Sequence, residues 1–189
     1  MTNKVINSLT FIVLCYNHEN FTIEHLESIK YLINEYGNDW ENHIVISDDC
    51  SKDNTKKLIK DWIKENKNLF KSVNLVFNNN NLGTCQSVIN SLSKVETNFI
   101  KITAGDDVYS FENIYDLTSI VCSDFPIVSG IPLELLGSEI KINRNSLFEI
   151  LATQSIFSDL PLISRFKFAT NNNAPNMMYI KEALTNEYL

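Results

Sequence analysis

Four short apolar runs, each closing on polar or acidic residues and each followed by a stretch of different period, decide most of what this chain can fold into. They are SLTFIVLCYN at 8–17, HIVISDD at 43–49, SVNLVFN at 72–78 and NFIKITAGDD at 98–107. The first, a continuous apolar run, reads as a parallel strand covered on both faces, and the other three as further strands. Between the first two, Leu26, Ile29, Leu32, Ile33 and Tyr36 recur at three- and four-residue steps before Gly37, which predicts a helix from Thr22. Asp53 or Asn54 caps a second helix with Leu58, Ile59, Trp62 and Ile63 on its apolar face. NNNNLG, 78–83, reads as a polar loop, and Val88, Ile89, Leu92 and Val95 as the inner face of a third helix. Strands and helices alternating in this way predict right-handed crossovers and an α/β fold of nucleotide-binding type, a mainly parallel sheet with helices on both faces.

Beyond Asp107 the alternation weakens. SFENIYDLTSIVC at 110–122 and NSLFEILATQSIF at 145–157 read as helical, PIVSGIPLEL at 126–135 and PNMMYI at 175–180 as extended. At 189 residues the whole is expected to be one domain. The longest apolar run, Phe11 to Cys15, is strand-sized, well short of the roughly 18 residues of a membrane helix. MTNKVINSLT lacks the parts of a secretory signal, so a cytoplasmic protein is expected. Cys15, Cys50, Cys85 and Cys122 are too widely spaced for a C-x-x-C pair and are read as reduced thiols. A formal net charge of −7 argues against nucleic acid as a partner, which calls for clustered Lys and Arg. An acidic ligand therefore needs local help from a metal ion or a helix N-terminus.

In a parallel sheet, ligands bind outside the carboxyl ends of the strands near a switch in strand order. The unusual polar residues all fall there: Tyr16, Asn17, His18 and Glu19 after the first run, Asp48 and Asp49 after the second, the loop to Gly83 after the third, and Gly105, Asp106 and Asp107 after the fourth. A hard divalent cation takes oxygen ligands, often one or two carboxylates plus substrate phosphates, so TAGDDVY suits a metal-held diphosphate. Asp48 is better suited to a neutral base or a ribose hydroxyl, since a carboxylate beside phosphate is repulsive. Each motif alone also has a plain structural meaning. SDDCSKDNT and AGDD both serve as capped turns, His18 as a helix-start residue, Gly83 as a loop residue, Trp40 and Trp62 as packing. Their joint occurrence at successive strand ends favours a site.

These residues resemble a known family, the inverting family 2 glycosyltransferases of GT-A fold. FIVLCYNHENFTIEHLESI is similar to the family's opening strand, Tyr-Asn turn and helix; IVISDDCSKDNTKKLIKDW to its Asp-Asp-x-Ser-x-Asp-x-Thr segment; and NNNLGTCQSVINSLSKVETNFIKITAGDDVY to the Asn-x-Gly helix and metal-binding strand end. The resemblance implies a nucleotide site of Tyr16, Asn17, Glu19, Asp48, Asp49, Gly83 and Asp106, and a Mn2+ or Mg2+ ion on Asp106 and Asp107. It implies a nucleotide-sugar donor, most simply UDP-linked, and a saccharide or lipid-linked saccharide acceptor, which brings peripheral membrane association into view. Two departures stand out. The family's Asp-x-Asp-Asp pattern has its first acid where this chain has Ala104. NNNAPNMMYIKEAL resembles the acceptor-side strand, but no Glu-Asp base motif follows it, and Glu182 and Glu187 are poor substitutes. The expectation is a single GT-A-like domain over 1–189, truncated on its acceptor side, with the catalytic base unassigned.

Three other functions compete. A nucleotidyltransferase needs a Gly-rich basic loop after the first strand, where this chain has CYNHEN. A phosphoacceptor receiver places its acid pair after the first strand. A non-catalytic nucleotide-sugar binder fits the missing base and is separated from an enzyme only by turnover.

Overall fold

The computed structural model describes residues 7–122, 127–129, 133–142, 148, 151, 159–160 and 177–185. The chain divides into two compact units, Met1–Val128 with Met178–Leu189, and Ser129–Met177.

The first unit follows the predicted alternation: β1 (Ser8–Cys15), α1 (Thr22–Tyr36), β2 (Glu41–Asp48), α2 (Thr55–Asn66), β3 (Ser72–Phe77), α3 (Thr84–Leu92) and β4 (Phe99–Ala104). With β5 at Ile127–Ser129 and a later strand at Met177–Ile180, these form one sheet. Across it the order is β3, β2, β1, β4, the Met177–Ile180 strand, β5. β1 pairs in parallel with both β2 and β4, and β2 with β3; the Met177–Ile180 strand runs antiparallel to β4. The register sets Cys15 against Asp48, Asp48 against Phe77, and Leu14 against Ala104, so four strands end level. The chain moves outward from β1 to β3, then returns to the other side of β1 as β4. The switch in strand order therefore lies between β1 and β4.

Alternation along the strands sorts the core. Leu9, Phe11, Val13 and Cys15 of β1 join Ile44 and Ile46 of β2 beneath Leu26, Ile29, Leu32 and Ile33 of α1 and Ile59, Trp62 and Ile63 of α2. The opposite face receives α3, which packs on β1 and β2. Here the expected face is met at Leu92 and corrected at Ile89. Ile89 is 47% exposed, and the buried residues of α3 are Ser87, Ser91 and Leu92. Burial is tolerated because the hydroxyls are satisfied locally: Ser91 Oγ donates to the Ser87 carbonyl at 2.7 Å, and Asn78 Nδ2 donates to Ser87 Oγ at 3.3 Å. Small side chains also let the helix lie close to the sheet. Val95, expected on the same helix, is buried just beyond its end.

Of the expected helix at 110–122, only a 3-10 helix, Ile114–Ser119, forms. Asn113 caps it by accepting from Tyr115 N at 3.1 Å, and Tyr115 turns inward to donate to Asn42 Oδ1 at 2.6 Å against the Trp40 ring. Within the extended expectation at 126–135 the described residues form β5 and the start of β6 (Glu134–Leu136), which pairs with β7 (Glu139–Lys141) as an antiparallel hairpin in the second unit, while residues 126 and 130–132 lie outside the described residues. Met177–Ile180, here β8, fulfils the expectation for PNMMYI over its described residues and leads into a short helix, Lys181–Thr185. The helical expectation at 145–157 lies outside the described residues except at Phe148 and Leu151.

Candidate functional site

The loop after β1 and the turn after β2 are tied together bond by bond. Asn17 N donates to Ser51 Oγ at 2.9 Å, His18 N to Thr55 Oγ1 at 2.9 Å and Glu19 N to Asp53 Oδ2 at 3.0 Å. In return Lys52 N donates to Asn17 Oδ1 at 2.8 Å, and Asn54 donates to Glu19 Oε2 from N at 2.8 Å and from Nδ2 at 2.9 Å. Asn17 adopts a positive φ of 56°, which Asn tolerates better than most residues. Asn17 and Glu19 thus hold the rim in shape, while the Tyr16 ring is left exposed beside it. Ser51, Thr55 and Asp53 were legible only as turn and cap residues. Their bonds cross 34 to 37 positions of sequence, which no local pattern reveals.

The adjacent carboxylates of Asp48 and Asp49 are both buried, and each is compensated separately. Asp48 Oδ1 accepts from Ser51 N at 3.0 Å and lies 3.3 Å from Lys56 Nζ; its Oδ2 has no hydrogen-bond partner among the described residues. Asp49 Oδ1 accepts from Leu82 N at 2.8 Å and Asn78 Nδ2 at 2.9 Å, and Oδ2 from Gly83 N at 2.8 Å. Burial alone would raise the Asp49 pKa, but the bonds from Leu82, Asn78, Gly83 and Ser87 hold it below the usual carboxylate range. Asp49 therefore fastens the loop between β3 and α3 to the end of β2. Gly83, at φ +82°, begins α3 in a conformation that glycine adopts without strain.

At the end of β4, Gly105 N donates to the Leu14 carbonyl at 2.8 Å. A Cβ at Gly105 would stand 2.5 Å from Cys15 Sγ and 3.2 Å from His18 Nδ1, so this close approach of β4 to β1 depends on glycine. Asp106 is exposed and Asp107 half-buried. Burial, and then the charge of Asp106, raise the Asp107 pKa. His18 Nδ1, buried and without a hydrogen bond among the described residues, lies 3.7 Å from Asp106 Oδ1. His18 is also the helix-start residue expected, since its carbonyl accepts from Phe21 N and Thr22 N, both at 2.9 Å. All four strand ends are thus linked along one rim, with Asp48, Asp106 and Asp107 among its carboxylates. Among the described residues no three His, Cys, Asp or Glu side chains gather as a metal site by themselves. Glu182 sits exposed on the short final helix, and Glu187 lies outside the described residues.

Comparison with known proteins follows the same lines. S. aureus TarS 1–349 in complex with UDP-GlcNAc superposes with a TM-score of 0.65 at 18% identity, covering 95% of this chain and 47% of that one. The same protein in complex with UDP gives 0.64 at 18% identity, covering 95% and 48%. The mannosyltransferase PcManGT from Pyrobaculum calidifontis, in complex with GDP-Man and Mn2+, gives 0.56 at 19% identity, covering 67% and 36%. At these identities the likeness is one of fold, that of the GT-A glycosyltransferases. The chain spans about half the length of the TarS structures. Among curated proteins none matches it. The family model described as Glycosyl transferase family 2 matches residues 10–186, nearly the whole sequence. This chain belongs to glycosyl transferase family 2.

Proposed function

We propose that the chain is the donor-binding portion of an inverting glycosyltransferase, moving a sugar from a UDP-linked donor to a hydroxyl of a polysaccharide or glycolipid. The observation that carries the reading is the linked rim at the β1–β4 switch, which offers an unpartnered Asp48 oxygen on one side and the Asp106–Asp107 pair on the other. Asp48 reads a base N–H or a ribose hydroxyl, Tyr16 flanks the base, and Asp106 and Asp107 face the diphosphate end. Asn17, Glu19, Asp49 and Gly83 border the nucleotide by fixing the loops around it.

Manganese or magnesium fits this donor set. Two neighbouring carboxylates, one with its pKa raised partly by the other's charge, suit a hard cation whose remaining ligands are phosphate oxygens. Such an ion neutralises the diphosphate and stabilises it as a leaving group. Asp106 and Asp107 hold and orient it; the base that takes the acceptor's proton is unassigned among the described residues. No helix among these residues is long and apolar enough to cross a membrane. We place the protein in the cytoplasm, reaching a lipid-linked acceptor by peripheral association with the inner face of the membrane.

Calorimetric titration of UDP, GDP and ADP, with and without manganese, tests the reading. UDP binding that strengthens markedly with manganese is expected. Equal affinity for all three, unmoved by manganese, would contradict it.

A further inference from the structure

The segment carrying Asp106 and Asp107 has little of its own to hold it. After one turn, in which Asp107 N donates to the Ala104 carbonyl at 3.3 Å, it runs without regular structure to Ser110. Helix α1 takes it up instead. His25, fully buried, sets Nδ1 2.6 Å from the Asp107 carbonyl oxygen. One turn on, Ser28 Oγ accepts from Tyr109 N at 3.1 Å, and at the helix end the Tyr36 hydroxyl donates to the Phe111 carbonyl at 2.7 Å.

A carbonyl oxygen only accepts, so Nδ1 carries a proton; Nε2 lies 3.2 Å from the Thr103 hydroxyl, which donates to the Ile12 carbonyl at 3.3 Å. The ring also packs 5.7 Å from the Tyr109 ring, beneath the same segment. Packing alone does not call for an imidazole here. Leu26, Ile29, Leu32 and Ile33 already supply the buried apolar face of α1, and an aliphatic side chain at 25 would fill the space without a polar group to satisfy.

We propose that His25 is a positioning residue: by donating to the Asp107 carbonyl it holds the Asp106 and Asp107 carboxylates in the arrangement that a divalent cation and a diphosphate require. Ser28 is the second tie. The proposal rests on the donor-site reading above. It is the loop's main chain, not its carboxylates, that His25 grips, so its effect on the carboxylates is one of placement.

The test is calorimetric titration of UDP, with and without manganese, into the 189-residue chain and three variants, each checked by thermal melting. His25→Leu is expected to lose about tenfold or more of the manganese-dependent gain in UDP affinity while keeping metal-free affinity within about threefold. His25→Asn, whose amide nitrogen can stand in for Nδ1, is expected to recover most of the gain. A full gain in His25→Leu, or a loss in His25→Asn equal to that in His25→Leu, overturns the proposal. Ser28→Ala is expected to lose about threefold of the gain. Should His25→Leu fail to fold, Ser28→Ala decides, and an unchanged gain there overturns the proposal. A wild-type chain whose UDP affinity ignores manganese would instead overturn the donor-site reading, and this inference with it.

Discussion

Two carboxylates one peptide apart repel each other and resist burial, yet Asp48 and Asp49 are both inside. The backbone resolves the conflict by pointing them to different partners, Asp48 to Ser51 and Lys56 and Asp49 to Asn78, Leu82 and Gly83. Removing the Asp49 side chain takes the acceptor from the Leu82 amide and leaves Gly83 N and Asn78 Nδ2 only their longer bonds, to Asn81 Oδ1 at 3.1 Å and Ser87 Oγ at 3.3 Å. Asp49→Ala should cost on the order of 3 kcal/mol in denaturant unfolding, since bonds to a charged group exceed neutral ones. The pH dependence has a definite sign. Asp49 and Asp53 both have pKa values depressed in the fold: burial opposes this, but hydrogen bonds outweigh it, chiefly from Leu82 at Asp49 and from Thr55 at Asp53. Their stabilisation is present above the unfolded carboxylate pKa of about 4 and is lost as pH falls through the lower folded values. Unfolding midpoints measured from pH 6 to 2 should therefore drop below about pH 4, less steeply in Asp49→Asn. An identical acid limb in wild type and variant would remove Asp49 from the account.

At the scale of elements, most of the first unit was legible. β1 holds a continuous apolar run and β2 to β4 short apolar-rich segments, and α1 and α2 carry apolar residues at helical spacing over more than two turns, so period and length agreed. The inner face of α3 was legible only in part: Leu92 and, just past the helix, Val95 are buried as expected, but Ser87 and Ser91 are buried too. Ser87 and Ser91 count as polar in any hydropathy pattern, and only the fold provides the Asn78 amide and the helix carbonyl that make their burial tolerable. The consequence is a measurable inversion. Ser91→Leu, at a fully buried position, should cost about 1–3 kcal/mol by overpacking α3 against the sheet, whereas Ile89→Lys should change stability by no more than about 0.5 kcal/mol. Denaturant melts that rank the two the other way would show that α3 lies on the sheet by its aliphatic face after all.

At the scale of the whole molecule, the site is a property of chain order more than of any motif. Placing β4 beside β1 brings Gly105 against Cys15 and His18, and parallel register sets the polar residues after each strand along one edge. The strand ends could be read in sequence because each apolar run stops on polar residues. The ties between them could not, because Asp49 meets Leu82 and Gly83 across 33 and 34 positions, and His25 meets Asp107 across 82. This edge is proposed to take a nucleoside diphosphate with a divalent cation at Asp106 and Asp107. The most direct measurement is a two-dimensional amide NMR spectrum of the labelled chain with UDP, first with magnesium and then with traces of manganese. Magnesium-state shifts are expected at residues 16–19, 48–51 and 105–108, with manganese broadening that removes the Asp106 and Asp107 signals first. Broadening centred elsewhere, with residues 105–108 sharp, would contradict it.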